Sequence, residues 1–178
     1  MGRTNSVFNL QPADPKFFSD PKLMNMNAHY LKTMPMADLL PLVQAALAKA
    51  GLWEDARSSV QAHRFRTTVD LIRSRFQRIT DFTTLGRAYF SDEFDRQVMP
   101  TATWLADLAD HLAALDAFDA ASVETALRRF LKESPIKTSD FIAVVRSAVT
   151  GVANGPDVVQ MLVCLGQDRV VDRLRFAQ

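Results

Sequence analysis

The stretch from Ile136 to Arg173 reads IKTSDFIAVVRSAVTGVANGPDVVQMLVCLGQDRVVDR, in which glycine and proline separate three apolar runs. Within each run the apolar residues recur at a spacing of three and four, so each run predicts a short amphipathic helix. A side-chain oxygen of Thr138 or Ser139 can cap the first helix, because it can accept one of the free N–H groups of the opening turn. Gly151 is expected to end this helix.

Two more helices follow in the same stretch. Gly155-Pro156 is expected to open the second helix, with proline at the first helical position, where its missing N–H costs nothing. Gly166 is expected to end that helix, and Asp168 can start the third. The sequence therefore predicts a compact group of three closing helices.

A loop from residue 150 to residue 155 lies between the first two of these helices. Its two glycines allow backbone to approach a ligand closely. Arg146 comes one turn before the loop and is expected to point at whatever the loop holds. The same side chain could instead extend from a core helix to solvent or cap a backbone carbonyl, and the spacing alone does not separate these roles.

Helical periodicity extends through the rest of the chain, and no segment shows the alternation of a strand. The predicted helices cover about residues 20–32, 36–50, 67–76, 80–90, 101–115 and 119–132. We therefore expect an all-α protein with two packed helical subdomains. The predicted division is an irregular lead-in at 1–19, a proximal subdomain at 20–91 and a distal subdomain at 95–178.

The composition fits an ordinary globular protein. The chain has 178 residues, 48% of them hydrophobic, and a formal net charge of +1. No apolar run reaches the roughly 18 residues that a membrane helix needs, and the start does not resemble a signal peptide. The one cysteine, Cys164, cannot form an internal disulfide. These features predict a soluble, cytoplasmic protein that does not associate with membranes.

Charge is unevenly distributed although it nearly cancels overall. Residues 57–78 carry six arginines and one acid, Asp70, and residues 92–124 reverse this balance. The arginines are Arg57, Arg64, Arg66, Arg73, Arg75 and Arg78. Such segregation can present one basic face to phosphates, although two solvated faces are the more ordinary explanation of a charge run taken alone.

Three blocks of sequence, in one order, resemble a known family. They lie at 20–23, 27–31 and 33–35; at 68–76 and 85–90; and at 145–151, 155–156 and 165–166. Together they are similar to the C-terminal anticodon-binding region of bacterial glutamyl-tRNA synthetases (glutamate–tRNA ligases). The resemblance implies a helical anticodon-binding fold and a role in protein synthesis, with glutamate tRNA and the catalytic domain of the same synthetase as partners.

The catalytic half of that family is missing from the chain. Neither its His-Ile-Gly-His-like motif nor its Lys-Met-Ser-Lys-Ser-like motif is present, and no glycine-rich phosphate-binding loop occurs. The resemblance therefore implies no catalytic residue and no cofactor in this chain, with ATP and Mg²⁺ belonging to the missing domain. It favours a monomeric fragment of a ligase. The alternative is a free-standing, non-catalytic adaptor that binds a protein partner.

The resemblance also assigns nucleic-acid-binding residues. It implies that Arg146 contributes to reading the first anticodon base and that the loop at Thr150, Gly155 and Val158 supplies backbone and apolar contacts. The motif Arg73-Ser74-Arg75-Phe76 carries the second group. In the family its last arginine lies near the third anticodon base, so Arg75 implies discrimination between glutamate and glutamine tRNA, with Arg73 beside it.

Other reactive side chains do not form a site. The histidines at positions 29, 63 and 111 lie on separate predicted segments, and a zinc site would need several nitrogen or sulfur ligands to converge. Cys164 lies on an apolar stripe and is expected to be buried. The sequence therefore predicts no metal site.

Overall fold

A computed structural model of the chain describes residues 20–53, 59–96 and 102–177. Within these ranges it contains nine α-helices and one 3-10 helix, and no strand. The helices are α1 Pro21–Thr33, α2 Met36–Lys49, α3 Ser59–Arg73, α4 Arg87–Phe90, α5 Leu105–Ala113, α6 Ala120–Glu133, α7 Thr138–Thr150, α8 Val158–Leu165 and α9 Gln167–Phe176, with the 3-10 helix at Ile79–Phe82. The all-α prediction is confirmed.

Helices α1 to α4 surround the first of two apolar cores. Helix α2 contributes Leu39, Val43 and Leu47, which are fully buried and repeat at helical spacing. Opposite them lie Val69 and Ile72 of α3, so α2 packs against α3 and the 3-10 helix. This core forms the proximal unit.

Helices α5 to α9 surround the second, larger core. Its fully buried members include Leu105, Leu108 and Leu112 on one face of α5, which packs most extensively against α9. Helix α6 packs on α8, and α7 packs on α9. The two units join where α3 packs on α8 and α4 packs on α7.

The expected arrangement of two packed helical subdomains is therefore confirmed. Leu71 and Tyr89 pack against both cores, so the units share side chains at their junction. The boundaries at residues 91 and 95 stay a prediction. The irregular lead-in at 1–19, Arg57 and the expected helix start at Thr101 lie outside the described residues.

Several predicted helix ends are confirmed. The Asp20 carboxylate accepts hydrogen bonds from the backbone N–H groups of Lys22 and Leu23, which caps α1. Gly151 follows α7 in the left-handed conformation with φ +80°, and Gly166 follows α8 with φ +87°. Non-glycine residues rarely adopt these angles, and the glycines therefore stop the helices where the sequence predicts.

The predicted starts of the first two closing helices are wrong. The N-cap of α7 is Lys137, without a side-chain hydrogen bond, and Thr138 is already helical. Helix α8 begins after Pro156, because the Asp157 carboxylate accepts from the Gln160 N–H at 3.0 Å and satisfies a free donor of the first turn. Proline at the first position only avoids losing a donor, so the aspartate determines the start.

The region from Thr80 to Phe90 also differs from the prediction of one short helix. The Thr83 and Thr84 hydroxyls both donate to the Thr80 carbonyl oxygen and so offer the backbone an alternative to a continuous helix. The chain forms a 3-10 turn, then a bend, then α4. Helical spacing over this segment predicts Phe82, Leu85 and Tyr89 on the inward face, whereas Leu85 is 69% exposed. Tyr89 is half-buried.

Two other helix boundaries were misplaced. Helix α3 starts at Ser59 and ends at Arg73, whereas the periodicity predicted 67–76. Helix α5 starts at Leu105, later than expected. Among the described residues, no helix combines the length and the apolar character that crossing a bilayer requires.

Candidate nucleic-acid interface

Arg146 folds back over the loop that joins α7 to α8. Its Nη2 donates a hydrogen bond to the carbonyl oxygen of Pro156. The side chain passes beside Gly155, where an added Cβ would lie 3.6 Å from both Cδ and Nε of Arg146. The loop is thus held against α7 by the side chain that was predicted to read a base, and Nη1 has no hydrogen-bond partner among the described residues.

Thr150 and Val158 face the protein at the two ends of this loop. Thr150 is 8% exposed, and its hydroxyl donates to the Arg146 carbonyl oxygen at 2.8 Å. Val158 is also 8% exposed and belongs to the distal core. Any contact that these two residues make with RNA would therefore use mainly their backbone, and their predicted role stays a prediction.

Gly151 admits the protein's own backbone at the point where a ligand was expected to approach. The carbonyl oxygen of Asp95 occupies the space that a Cβ on Gly151 would need. The connecting segment 91–96 therefore passes directly over the end of α7. The expectation that Gly151 opens the loop to a ligand is corrected: the close approach is intramolecular.

Arg73 lies inside the proximal unit, between the end of α3 and the end of α1. Its Nη1 donates to the Met34 carbonyl oxygen at 2.8 Å, and its Nη2 forms a 2.9 Å ion pair with Asp70. Helical spacing predicts that Arg66 and Arg73, seven residues apart, share one exposed face. The Arg73 side chain is only 20% exposed, so this prediction is wrong. The guanidinium ties the end of α3 to the end of α1, and its predicted role in RNA binding stays a prediction.

Arg75 has the opposite environment. It is exposed, and its guanidinium has no hydrogen bond or ion pair within the described part of the chain. Phe76 beside it is 7% exposed and contacts Phe82 edge-on at a centroid distance of 4.9 Å. The buried phenylalanine fixes the backbone, and the exposed arginine directly precedes it in the chain.

Tyr89 packs against both cores, and the pKa of its phenol is perturbed. Burial raises this pKa, and the nearby Cys164 thiol acts in the same direction. The positive charges of Arg75 and Arg146 act to lower it but do not outweigh burial. The phenol stays neutral at pH 7 and can donate a hydrogen bond.

Nothing in the sequence singled Tyr89 out except its place in a block of the family resemblance. It was predicted to be an inward-facing helix residue. Its position between the two cores depends on how α4 meets α7, a tertiary contact that periodicity does not show.

The uneven charge distribution is retained on the surface. Arg64, Arg66, Arg75 and Arg78 are exposed on or after α3. The exposed acids of the second segment are Asp92, Glu93, Asp95, Asp107, Asp110, Asp116, Asp119 and Glu124. The basic side therefore belongs to the proximal unit, which also carries Arg75.

Arg173 joins the two units from inside, and sequence reasoning missed it. Only 3% of this residue is exposed, yet burial lowers its pKa only to about 10, so it remains charged at neutral pH. Its Nη1 donates to the carbonyl oxygens of Ala88 and Val149. The sequence did contain a sign that Arg173 is buried, because it lies between Val170 and Leu174 on the apolar face of α9.

No alternative chemistry emerges from the other reactive groups. Among the described residues, no group of three or more His, Cys, Asp or Glu side chains is arranged to hold a metal ion. Cys164 is buried, as predicted, and burial raises the pKa of its thiol. A cleft of about 400 Å³ between the units is lined in part by Arg64, Tyr89 and Cys164.

Comparisons with known proteins agree on one family. The family described as anticodon binding domain matches residues 17–178. The glutamate–tRNA ligase of Desulfotalea psychrophila is 38% identical over 187 residues, which cover 99% of this chain and 38% of that protein. Glutamate–tRNA ligase 2 of Koribacter versatilis is 29% identical over 170 residues, which cover 90% of this chain and 35% of that protein.

Solved structures with a similar fold include two of the same kind of enzyme. A glutamate tRNA ligase from Elizabethkingia meningosepticum, crystallised in complex with its amino acid, superimposes with a TM-score of 0.70 at 19% identity. The match covers 86% of this chain and 31% of that one. A glutamate-tRNA synthetase from Elizabethkingia anophelis gives a TM-score of 0.69 at 20% identity. At these identities the likeness concerns the fold.

Proposed function

The chain belongs to the anticodon-binding domain family, and from this premise we propose that it recognises glutamate tRNA through the anticodon loop. It acts in this proposal as the C-terminal part of a glutamate–tRNA ligase, which attaches glutamate to tRNA at the expense of ATP. The chain spans 38% of the Desulfotalea relative and 35% of the Koribacter relative. The ligase activity, the catalytic domain as partner, and a site for ATP and Mg²⁺ outside this chain are therefore parts of the proposal.

The observation that supports the proposal best is the match of residues 17–178 to the anticodon binding domain family. Within this match one predicted reader comes from each unit, with Arg75 exposed and Arg146 lying over the loop between α7 and α8. A guanidinium offers a planar set of donors that matches a base edge or a phosphate, and it can also stack on a base. Proteins read RNA sequence mainly where bases are splayed out of a loop, so an arginine from each unit suits an anticodon loop.

The two arginines contribute in different ways. Arg75 has no hydrogen bond or ion pair with the residues that the structure describes, so it can adapt to the third anticodon base. Arg146 is held by its bond to Pro156, so its other Nη donors are oriented by the loop and, in this proposal, contact the first base. A fixed donor loses less conformational entropy on binding than a mobile one.

The exposed arginines of the proximal unit complete the interface. Arg64, Arg66 and Arg78 can contact phosphates, which set the register of the RNA but carry no sequence information. In this arrangement the proximal unit supplies most of the affinity, and Arg75 and Arg146 supply the choice of anticodon.

Fluorescence anisotropy tests the proposal. The chain is titrated with glutamate tRNA and with a tRNA altered only in its anticodon, at several salt concentrations. We expect preference for the native anticodon and affinity that falls steeply with salt, because phosphate contacts release counterions. Equal affinity for both RNAs would contradict anticodon recognition. A protein partner bound independently of salt, with no RNA binding, would favour the adaptor alternative.

The proposal also covers the oligomeric state and the location of the chain. We infer that the chain is monomeric, which sedimentation velocity tests across a range of concentrations. We also infer a cytoplasmic location, because aminoacylation supplies the ribosome there.

A further inference from the structure

The guanidinium of Arg173 connects three separate segments of the chain. Its Nη1 donates to the Ala88 carbonyl oxygen at 2.8 Å, at the end of the proximal unit, and to the Val149 carbonyl oxygen at 2.7 Å, at the end of α7. Its Nη2 donates to the Ser91 carbonyl oxygen at 2.8 Å and to Asp92 at 2.7 Å. A single residue of α9 therefore holds the end of α4, the connecting segment and the end of α7 together.

Asp92 completes this connection from the other side. Its Oδ1 accepts from Arg173 and also from Arg169 Nε, at 2.8 Å. Arg169 Nη1 in turn donates to the Tyr89 carbonyl oxygen at 3.2 Å. Tyr89 is therefore bracketed by carbonyls that α9 holds, those of Ala88 before it and Ser91 after it.

Aromatic rings pack against the guanidinium groups of Arg173 and Arg96. The Phe94 ring lies 4.4 Å from the guanidinium carbon of Arg173 and 4.7 Å from that of Arg96. Arg96 also stacks over Phe176 at 4.5 Å. Segment 91–96 is thus packed on α9 by rings and cations along most of its length.

The connection acts on residues next to the proposed RNA readers. Ala88 directly precedes Tyr89, and Val149 lies three residues after Arg146 on the same helix. Arg75 follows α3, whose Leu71 packs against both cores. Moving the carbonyls that Arg173 holds would therefore change the position of the proximal unit relative to Arg146.

Burying an arginine carries a large desolvation cost in free energy. Its desolvation offsets much of the energy gained from its partners, and apolar side chains of similar volume are often as stabilising. What the planar guanidinium adds is geometry, because its donors point in fixed directions. Here four acceptors on three segments are fixed relative to one another, although Nε is buried without a partner.

We propose that Arg173 and Asp92 are positioning residues that fix the spacing between Arg75 and Arg146 and thereby set selectivity for the anticodon. This inference rests on the proposed function. Neither residue touches RNA in this proposal, and both act through the backbone on either side of the reading surface.

The first test is a ratio of affinities. Asp92→Asn removes the charge while keeping the size of a side chain that is 70% exposed, so the fold should survive. The matched control is Asp110→Asn, which breaks the 2.8 Å ion pair between Asp110 and Arg175. The Asp110 side chain is 69% exposed and lies away from the junction of the two units. For each protein, anisotropy gives the Kd of the anticodon-altered tRNA divided by that of the native tRNA.

This ratio separates positioning from mere destabilisation. Partial unfolding lowers the competent fraction and raises both apparent Kd values equally, which leaves the ratio unchanged. We expect the ratio to fall roughly three- to tenfold in Asp92→Asn and to stay at the wild-type value in Asp110→Asn. Arg173→Lys should lower it further, provided that this variant folds, because one ammonium cannot replace the guanidinium at four acceptors.

The second test measures spacing without RNA. Spin labels on Ser74→Cys and Asn154→Cys, both exposed positions, report the distance between the Arg75 and Arg146 regions by double electron–electron resonance. Cys164 is 7% exposed and its pKa is raised by burial, so it should react slowly with the label. We expect a broader or displaced distance distribution in Asp92→Asn only.

The outcomes distinguish the two proposals. An unchanged ratio and an unchanged distance distribution in Asp92→Asn would overturn the positioning role while leaving anticodon recognition intact. A wild-type chain without anticodon preference would overturn the proposed function and, with it, the claim about selectivity. A lower ratio of the two Kd values in Asp92→Asn, together with a changed distance distribution between the spin labels, supports the inference.

Discussion

Arg146 donates a hydrogen bond to the carbonyl oxygen of Pro156, ten residues further along the chain, and so closes the loop between α7 and α8 with one side chain. This bond uses one N–H of Nη2, and Nε is buried without a partner among the described residues, so the other Nη donors are those left for a ligand. The residue therefore has a structural role that does not compete with its proposed role in reading a base.

These two roles of Arg146 can be separated by substitution. Arg146→Ala removes both, so we expect loss of about 1 kcal/mol of stability, from the bond to Pro156, together with about tenfold weaker preference at the first anticodon base. Arg146→Lys retains the charge but loses the fork, and we expect it to recover general RNA affinity without the preference. Urea denaturation and anisotropy give the two quantities, and a preference unchanged in Arg146→Ala would contradict the proposed reading role.

Arg75→Gln should change recognition without changing stability. Because the guanidinium of Arg75 is exposed and has no partner among the described residues, we expect the free energy of unfolding to stay within about 0.5 kcal/mol of the wild-type value. Discrimination at the third anticodon base should fall about tenfold. Binding to tRNAs that differ only at that base measures the effect.

The matched control for Arg75→Gln is Arg66→Gln, which removes another exposed arginine from the same basic segment. If Arg66 contacts only phosphate, its loss should weaken binding to every RNA equally and reduce the slope of log K against log salt by about one. Similar loss of discrimination in both variants would mean that Arg75 also acts only as a positive charge.

The sequence predicts most of the helices because their signals are local. Asp20 before Pro21, and the glycines at 151 and 166, mark helix ends through backbone conformation alone, and the structure confirms all three. The start of α8 was misplaced because proline and the following aspartate give competing signals, and the side-chain hydrogen bond of Asp157 decides between them.

The site was less predictable, because its geometry depends on contacts far apart in sequence. Arg173 bonds to Ala88 across 85 positions and to Val149 across 24, and no periodicity reports such pairs. The sequence places Arg73 and Arg75 in one motif, on neighbouring faces of one predicted helix. The tertiary contact with Met34 engages Arg73, whereas Arg75 has no partner among the described residues.

Gly151→Ala should be considerably more destabilising than Gly51→Ala. Both glycines have positive φ, +80° and +68°, so both substitutions should cost the roughly 1–2 kcal/mol of the left-handed conformation. Only at Gly151 does a Cβ meet backbone, the carbonyl of Asp95, whereas nothing lies within 4 Å at Gly51. We expect an additional loss of about 1–3 kcal/mol at Gly151, measured by urea denaturation. Equal losses would mean that segment 91–96 moves aside without cost.

The contribution of Asp92 to stability should depend on pH. Burial acts to raise the pKa of Asp92, but the hydrogen bond from Arg173 and the charge of Arg169 outweigh it and hold the pKa below its usual value. A carboxylate whose pKa is lower in the folded state stabilises the protein above its unfolded pKa of about 3.9, and this stabilisation is lost as pH falls through the folded value. Wild-type protein should therefore be more stable than Asp92→Asn near neutral pH, and the difference should shrink below about pH 4.

Urea midpoints at pH 7, 5, 4 and 3 test this expectation for Asp92. The variant Asp110→Asn, which loses a similarly exposed carboxylate away from the junction, corrects for the general effect of one negative charge fewer. A difference between wild type and Asp92→Asn that persists unchanged at pH 3 would mean that the side chain serves Arg173 as a neutral acceptor. In that case the negative charge would add nothing to the connection between the two units.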